Sequence, residues 1–587
     1  MRRESIIIAS LALAAMLTAC GEDGGGSDPD PFEPTAYCPG PGCPDEEGVG
    51  PLEVGAGMAD ITAIDDDGNY VATGEPPEVL TVDVDGDLAY DPEDGDEFDD
   101  VNGNGEYDGV WIAGFRNGLG AQGVHDKQWA RAIALRHENT TMVLVSLDCI
   151  GYFKNEMDLV RGQLGDLDVD HVFFSSTHVH EAHDTVGLWG PTQTESGARR
   201  AYLDFVADRA ADAVRAAVDA LEPSHVQYVS FRLRDLQDIP PEGSPQGMAR
   251  FVGDGRDPNI IDDEVRVLRF RQAAGDATIA TLVNWSAHPE YTGSQNPLLT
   301  SDYVHFIREG LENGVEGPEG PVDGVGGMAV YFTGALGNQI GPNRVRIINW
   351  EGDEIGDDVP PVPEEDSTMT SSAGVVGTQL AYYILQALRG DLAFAQNVED
   401  ETAEVGFRTK QYYLHLQNRA FFVASQQGIF DRDLHEWDPS LPVSEDNEPA
   451  IDTEVTVIDI GRAQLISSPG ELGPELFIGG YQGEHTPEGQ DLVDPENPNP
   501  PPLDQAPGPP YLRDLARDDA EVVFLMGCAN DYVGYIIPDY NFVLHETTPW
   551  FEQAPGDHYE ETNSPGDQAR GDIEAMTRSL LEWSPDA

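Results

Sequence analysis

The chain has 587 residues, and its 107 acidic residues against 32 basic ones give a formal net charge of −75. A surface of that sign repels nucleic acid and anionic lipid headgroups, so the composition excludes a polybasic binding protein. The length is sufficient for one large hydrophobic core or for several domains, and it leaves the oligomeric state open.

Residues 1–20 have the pattern of a lipoprotein signal peptide. Arg2 and Arg3 precede the apolar stretch Ile6–Met16, which is too short to span a bilayer. The segment ends Leu-Thr-Ala-Cys20, which resembles the bacterial lipobox, whose cysteine becomes the lipidated first residue. We therefore expect an exported bacterial lipoprotein that is held by an N-terminal lipid anchor in the cell envelope, in the outer membrane or at the cell surface. A secretory signal without lipidation is the alternative.

Residues 21–50 are rich in Gly, Asp, Pro and Glu and contain few large apolar residues. Such a composition cannot bury a core and predicts a flexible acidic tether. Cys38 and Cys43 lie within it, and an oxidising compartment favours a small local disulfide between them.

The body, residues 51–587, contains an acidic insertion at 83–109. Asp100, Asn102, Asn104 and Asp108 occupy positions 1, 3, 5 and 9 of a calcium-binding loop, with glycine at position 6. Position 12 is Trp111, so the bidentate glutamate of an EF-hand is missing, and the four residues Asp83, Asp85, Asp87 and Asp91 repeat the spacing without that glycine. The pattern predicts a structural Ca²⁺ site, and a solvated acidic loop is the alternative.

Strand and helix patterns alternate through the rest of the body, which predicts an α/β fold with a mixed sheet and helices on both faces. Short apolar runs predict strands at 141–148, 171–176, 279–286 and 329–333. Amphipathic spacing predicts helices at 198–221, 375–388 and 571–583. The acidic stretch 351–367 and the proline-rich stretch 494–510 are predicted to be long surface loops.

A histidine-rich segment, Thr-His178-Val-His180-Glu-Ala-His183-Asp184, follows one of these predicted strands directly. Alternate residues of an extended segment project to the same side, so His178 and His180 can face one cavity. Neutral imidazoles are good zinc ligands. Asp184 could fix the tautomer of such an imidazole by accepting a hydrogen bond from the ring nitrogen that does not bind the metal. His288 likewise follows a predicted strand, and Pro289 stops that strand. A hydrogen-bonded loop that happens to contain histidines is the alternative.

The order of motifs along the chain resembles the neutral/alkaline ceramidase family, whose members hydrolyse the N-acyl amide of ceramides with zinc. The resemblance runs from about residue 55 to 583. Its matching pieces are Gly123-Val-His125 with Trp129-Ala-Arg-Ala132, the strand end Ser146-Leu-Asp148, the segment 177–185, Ala287-His-Pro289 with Thr300-Ser-Asp302, Ser468-Pro-Gly-Glu471, and Gly527-Cys-Ala-Asn-Asp-Tyr-Val-Gly-Tyr535.

The resemblance implies a Zn²⁺ ion held by His178, His288, Glu471 and Tyr535, with His180 touching the substrate or stabilising developing charge. Zinc held in this way would lower the pKa of a bound water and polarise a carbonyl group, so we expect hydrolysis by zinc-activated water, chosen by elimination because the family's serine is missing. The chain ends soon after the predicted helix 571–583, so we expect no C-terminal immunoglobulin-like domain.

Two departures from the family pattern lie near this predicted site. The segment that carries the family's serine corresponds here to Leu336-Gly-Asn338-Gln339-Ile-Gly341-Pro-Asn343, which is one residue longer and has glycine before the proline. Asn338 and Gln339 are predicted to offer amide donors to an oxyanion in place of the missing hydroxyl. His183 stands where the family has a small residue or proline, which makes it a candidate acid or base.

The sequence therefore predicts a zinc-dependent hydrolase that cleaves an N-acyl amide, or an ester, of a lipid-like substrate. A non-catalytic metal-binding surface lipoprotein with the same fold is the main alternative, and phosphoester cleavage at a similar metal site is a third. An apolar pocket that is open beside His180 would favour the enzyme hypothesis. A pocket that is filled by side chains would favour the non-catalytic lipoprotein.

Overall fold

The computed structural model describes residues 35–37, 51–91, 93–138, 140–236, 247–342, 344–355, 368–444, 446–556 and 558–583. The predicted signal peptide, Cys20, Cys38 and Cys43 lie outside these residues. Residues 35–37, which fall within the predicted tether, pair antiparallel with a strand of the body. Backbone hydrogen bonding to an open sheet edge requires no apolar side chains, so composition could not indicate this pairing.

The helices of the described chain are α1 (Lys154–Gln163), α2 (Arg200–Asp219), α3 (Tyr303–Asn313), α4 (Ser372–Arg389), α5 (Arg419–Gln426), α6 (Pro474–Ile478) and α7 (Ala569–Leu581). The strands are β1 (Thr35–Tyr37), β2 (Glu53–Asp60), β3 (Leu80–Val82), β4 (Glu97–Phe98), β5 (Gly123–Val124), β6 (Trp129–His137), β7 (Thr140–Leu147), β8 (His171–Ser176), β9 (Glu222–Arg232), β10 (Gly253–Asp254), β11 (Glu264–Gln272), β12 (Thr278–Trp285), β13 (Leu298–Leu299), β14 (Gly314–Gly317), β15 (Gly320–Asp323), β16 (Met328–Thr333), β17 (Gln339–Ile340), β18 (Ile347–Ile348), β19 (Glu354–Ile355), β20 (Gln396–Asp400), β21 (Val405–His415), β22 (Ala450–Ile460), β23 (Ala463–Ser467), β24 (Glu471–Leu472), β25 (Val522–Met526) and β26 (Tyr535–Ile536).

A nine-stranded mixed sheet forms the centre, in the order β16-β12-β11-β9-β2-β6-β7-β8, with β20 paired to β9. The pairs β7–β8 and β12–β16 are parallel, and the other pairs of this sheet are antiparallel. Side chains of β7 alternate between its faces, as the pleat requires. Val143 and Val145 pack against α2, whereas Met142 and Leu144 point to the opposite face.

That opposite face packs against a second sheet of order β1-β21-β22-β23-β25. Met142, Leu144 and Phe173 of the first sheet share a buried cluster with Phe407, Ile458 and Phe524 of the second. The outer face of the second sheet is covered by α7, whose Ile573 and Leu580 belong to the same cluster as Val455 and Val457. The molecule is therefore a four-layer stack with helices outside and two sheets inside.

The predicted elements correspond closely to the observed ones, and the predicted α/β class with a mixed sheet is confirmed. The expectation of helices on both faces of that sheet is wrong, because its second face packs against another sheet. The structure adds the second sheet, which lies between the mixed sheet and α7. Among the described residues, no helix combines the length and apolar character needed to cross a bilayer.

Candidate metal centre

Four chain segments that are distant in sequence converge at one end of the two-sheet stack. His178 follows β8, and His288 follows β12. Glu471 and Tyr535 begin β24 and β26, which pair in parallel so that these two residues stand directly opposite each other. The tertiary fold thus brings together the four zinc ligands that the resemblance implies.

The distances between the donor atoms fit a single zinc ion. The Nε2 atoms of His178 and His288 lie 3.4 and 3.0 Å from Oε2 of Glu471, and the Tyr535 hydroxyl lies 3.5 Å from Nε2 of His288. Donors placed about 2.0–2.1 Å from a tetrahedral ion are about 3.3 Å apart. Nitrogen and carboxylate donors at this spacing are the set that zinc prefers, so the residues present fit the ion.

His180 also belongs to this group, and its ring contacts Phe115 edge to face at a centroid distance of 5.4 Å. Its Nε2 atom lies 3.4 Å from Nε2 of His178, and donor atoms of His178, His180 and His288 lie within 4.8 Å of one another. Nδ1 of His180 faces the Glu290 carboxylate at 3.5 Å. Gly114 has a left-handed φ of 96°, and a Cβ atom there would lie 2.5 Å from the His180 ring, so only glycine fits.

Backbone carbonyls fix the tautomers of the two predicted ligand histidines. Nδ1 of His178 donates to the Ile150 carbonyl at 2.6 Å, and Nδ1 of His288 donates to the Gln339 carbonyl at 3.0 Å. Each Nε2 lone pair is therefore left facing the centre. The sequence analysis missed these partners, because any residue supplies a carbonyl and no side-chain pattern marks it.

Asp184 does not take the tautomer-fixing role that the sequence analysis gave it. Its carboxylate accepts hydrogen bonds from the backbone amides of Val186, Gly187 and Trp189, and thereby shapes the loop after the histidine segment. The carboxylate of Glu471, at the centre itself, is oriented by Tyr532, whose hydroxyl donates to its Oε1 atom at 2.7 Å.

The buried His178 imidazole and the Glu471 carboxylate shift the pKa values of each other. Burial alone lowers the pKa of His178, but the Glu471 carboxylate raises it well above the usual value. Burial raises the pKa of Glu471, and the two imidazoles more than reverse this and hold it well below its usual range. His178 also has a left-handed φ of 65°, a strained conformation for a residue with a side chain and one that clusters at functional sites.

The centre opens into a mainly apolar pocket. His178, His180, Glu471 and Tyr535 form its polar end. The pocket encloses about 660 Å³, including part of the solvent at its mouth. Its walls are mainly aliphatic and aromatic and include Ile150, Phe153, Trp189, Leu416, Phe421 and Phe430.

His183 lies in the core and does not line this pocket. Its Nδ1 atom donates to the Trp111 carbonyl at 2.9 Å, and its Nε2 atom accepts from the Tyr70 hydroxyl at 2.7 Å. Burial lowers the pKa of His183 to about 4, so the ring is neutral near pH 7. With both ring nitrogens bonded, His183 is placed as a structural residue and not as the acid or base that the sequence suggested.

The side-chain amides of Asn338 and Gln339 are also hydrogen-bonded to groups outside the pocket. The Gln339 side chain donates to the Ile260 carbonyl and accepts from the Asp262 amide, and Nδ2 of Asn338 donates to Glu475. Neither residue lines the pocket. The prediction that they supply oxyanion donors does not fit this geometry, and Gln339 contributes through its backbone carbonyl instead.

Gly341, which the sequence resemblance aligns with the family's serine, is packed against an aromatic ring. A Cβ atom at Gly341 would lie 2.5 Å from the hydroxyl oxygen of Tyr291, and Tyr291 is fully buried and held by the Phe251 carbonyl. The space that a serine side chain needs is therefore filled by Tyr291.

We expect Gly341→Ser to destabilise the protein without raising its activity. Overpacking of a tight core typically costs about 1–3 kcal/mol, and the new Cβ atom would contact a fixed ring. Urea unfolding and a hydrolysis assay would measure the two effects. Gly341→Ala adds the same Cβ without a hydroxyl and is expected to lose as much stability; a serine variant more active than the parent would contradict the packing argument.

Glu475, the partner of Asn338, is expected to make stability depend on pH. Burial raises the pKa of Glu475 to about 7 from 4.5. Its contribution to the free energy of unfolding is therefore fully present below pH 4.5 and is lost as the pH rises through 7. Since one pKa unit corresponds to 1.36 kcal/mol, the loss reaches up to about 3 kcal/mol. Glu475→Gln should remove it, so urea unfolding at pH 5 and pH 8 should show a smaller pH effect in the variant. An unchanged pH effect would refute this, and exposed Glu488→Gln is the control.

The predicted calcium insertion forms two loops of matching conformation. Asp83 accepts from the amides of Gly86 and Leu88, and Asp100 accepts from those of Gly103 and Gly105, which are the same relative positions. Oxygens of Asp83, Asp85 and Asp87 lie within 4.8 Å of one another.

Each of these loops is bridged by a carboxylate that the sequence analysis did not identify. Glu78 accepts from the amides of Asn102 and Asp108, and Asp96 accepts from those of Val84 and Asp91. The second loop is further tied to the body, because Asp108 pairs with Arg199 at 2.7 Å.

The fold of this chain is similar to that of solved ceramidase structures. No protein-family model and no curated protein matches the chain. Among solved structures, the neutral ceramidase from Pseudomonas aeruginosa is 15% identical with a TM-score of 0.51, and the match covers 91% of this chain and 75% of that one. A ceramidase complexed with C2 is 13% identical with a TM-score of 0.53, and the match covers 90% and 75%. At these identities the likeness shows the fold, and it confirms at that level the resemblance found in the sequence.

Proposed function

We propose that the chain is a divergent ceramidase-like, zinc-dependent hydrolase that cleaves an N-acyl amide, or an ester, of a lipid-like substrate. The observation that carries the proposal is that His178, Glu471 and Tyr535 of the donor group line the polar end of an apolar pocket, with His288 behind them at 3.0 Å from Glu471. A purely structural zinc site is closed by its protein ligands and needs no such pocket. The likeness to solved ceramidases supports the same choice of substrate class.

The residues of the centre have distinct roles in this proposal. His178, His288, Glu471 and Tyr535 would hold the zinc ion, and the Ile150 and Gln339 carbonyls keep the imidazoles in the tautomer that binds metal. The chemistry that zinc supplies when bound at such a site is the acidification of water and the polarisation of a carbonyl group. His180, which lines the pocket and faces Glu290, would touch the substrate and exchange a proton with the reacting group.

The apolar walls indicate which part of the substrate the pocket holds. An acyl chain would bury its methylene groups against Ile150, Phe153, Leu416 and Phe430, at about 0.8 kcal/mol for each buried methylene. The scissile carbonyl would then lie at the polar end beside His180. Because Tyr291 occupies the space of a serine side chain at Gly341, the geometry supports attack by water rather than by a serine at that position.

Metal analysis combined with a substrate screen tests the proposal. The purified protein is expected to hold about one zinc per chain in the centre and to release fatty acid from N-acyl or O-acyl lipids. Zinc without turnover of any acyl lipid would instead support the alternative, a non-catalytic metal-binding surface lipoprotein. Cleavage of phosphoesters alone would support the third possibility.

We also propose that Cys20 anchors the protein to a membrane. The support is the lipobox-like sequence at residues 17–20, followed by a tether long enough to separate the body from the surface. Cys20→Ala should move the mature protein from the membrane fraction to the soluble fraction. Full retention in the membrane fraction would refute the anchor.

Calcium in the two acidic loops is a further part of the proposal. The matching loop conformations and the bridging carboxylates of Glu78 and Asp96 support a structural Ca²⁺ role. Calorimetric titration of a calcium-stripped sample should give saturable heat that Asp83→Asn and Asp100→Asn reduce. The absence of saturable heat would refute it.

A further inference from the structure

Two tyrosines of the same chain segment contact the candidate zinc centre in different ways. The Tyr535 hydroxyl lies 3.5 Å from Nε2 of His288, among the implied metal donors. The Tyr532 hydroxyl instead donates to Oε1 of Glu471 at 2.7 Å. Both tyrosines line the apolar pocket together with Glu471. The motif order in the sequence gave a role to Tyr535 and none to Tyr532, so the role of Tyr532 has to be read from its contacts.

The two carboxylate oxygens of Glu471 have separate partners. Oε2 lies 3.4 and 3.0 Å from the Nε2 atoms of His178 and His288, whereas Oε1 accepts the hydrogen of the Tyr532 hydroxyl. Glu471 is buried, so bulk water does not compete for either oxygen. Turning the carboxylate until both oxygens faced the imidazoles would break a charge-assisted hydrogen bond in a low-dielectric region. The Tyr532 hydroxyl therefore holds Glu471 with a single oxygen toward the centre.

Tyr532 is itself fixed from several sides. Its backbone amide donates to Oδ1 of Asp531 at 2.8 Å, and its carbonyl accepts from Arg432 at 3.2 Å. Its ring lies against Gly151, where a Cβ atom would come within 2.4 Å of the ring, and 5.6 Å from the centroid of the His178 ring. A hydroxyl held in this way orients the carboxylate without first having to be ordered itself.

The number of donors that Glu471 offers matters because zinc accepts few ligands. Zinc in proteins has four ligands and expands to five at catalytic sites. With one oxygen from Glu471 the implied residues supply four donors, and with both oxygens they would supply five and leave no position for another ligand. We propose that Tyr532 is a positioning residue that limits Glu471 to one donor oxygen and so keeps a coordination position free for the reacting group. This role rests on the proposed zinc-dependent hydrolase.

Cobalt substitution tests this role without a lipid substrate. Co²⁺ loaded into the purified protein in place of zinc absorbs visible light, and the absorption weakens as the coordination number of the ion rises. Acetohydroxamate, a small metal-binding probe, is then titrated, and it should bind the parent protein with a change in the spectrum. Tyr532→Phe keeps the ring and should still bind about one cobalt per chain, but it should absorb more weakly and bind the probe about tenfold less tightly or worse.

The matched control is Tyr152→Phe, which removes another buried hydroxyl, bonded to the Leu203 carbonyl at 3.1 Å, and should leave the spectrum and the probe affinity unchanged. If Tyr532→Phe does not fold, Gly151→Ala displaces the same ring and should shift both measurements in the same direction. An unchanged spectrum and probe affinity in the folded variant would overturn the role of Tyr532 and leave the zinc centre in place. A parent protein that binds no cobalt would instead overturn the proposed hydrolase, and this role with it.

Discussion

Replacing His288 with alanine is expected to remove zinc and hydrolytic activity together. Changes to residues that only orient zinc ligands already weaken binding by about 10–100-fold, so loss of a ligand should exceed about 100-fold. His288 also contacts Glu471 at 3.0 Å, and its loss would leave that buried carboxylate with one imidazole fewer. Metal analysis after dialysis, alongside the acyl-lipid assay, measures both effects.

The matched control for His288→Ala is His183→Ala, which removes a buried imidazole from the same end of the molecule without touching the centre. This variant should lose stability, because Tyr70 and the Trp111 carbonyl lose a partner, yet it should keep its zinc. Full zinc content in purified His288→Ala would show that the ligand assignment is wrong.

Replacing His180 with glutamine is expected to separate metal binding from catalysis. The four implied ligands remain, so zinc content should stay near one per chain. Activity should fall by about 10²–10⁴-fold, the usual contribution of a side chain that transfers protons in the transition state. Single-turnover assays with the best substrate of the screen, together with metal analysis, would measure this separation.

Glu290→Gln tests the catalytic role of His180 by changing the carboxylate that faces its Nδ1 atom. It keeps the shape of the side chain beside Nδ1 of His180 but removes its charge. A smaller loss of activity than in His180→Gln, with zinc retained, is expected. If His180→Gln lost its zinc, His180 would have to be counted among the ligands, as its 3.4 Å distance from His178 allows.

The sequence was sufficient to locate the regular elements that position the site. β8 coincides with its predicted range, and α2, α4, β7, β12 and β16 differ from theirs by at most a few residues at either end. Apolar periodicity succeeds here because each element buries a defined face against a large core. The ordered motifs around His178, His288, Glu471 and Tyr535 likewise sufficed to nominate residues that the structure brings together.

The roles of the neighbouring polar residues depended on contacts that no local pattern encodes. His183 and the amides of Asn338 and Gln339 had plausible chemistry in the sequence, and the structure places them in hydrogen bonds away from the pocket. The cause is geometric, since residues adjacent in sequence project in different directions and meet partners from other segments.

What the sequence by itself determined is therefore the fold class, the course of the main elements and the set of candidate metal ligands. Only the tertiary structure decided which imidazole nitrogens face the centre, that Tyr291 fills the space beside Gly341, and that an apolar pocket opens beside His180. The physical reason is that periodicity and ordered motifs are properties of the chain. Tautomer control, steric exclusion and cavity shape arise from backbone carbonyls and side chains that are tens to hundreds of residues apart in the chain.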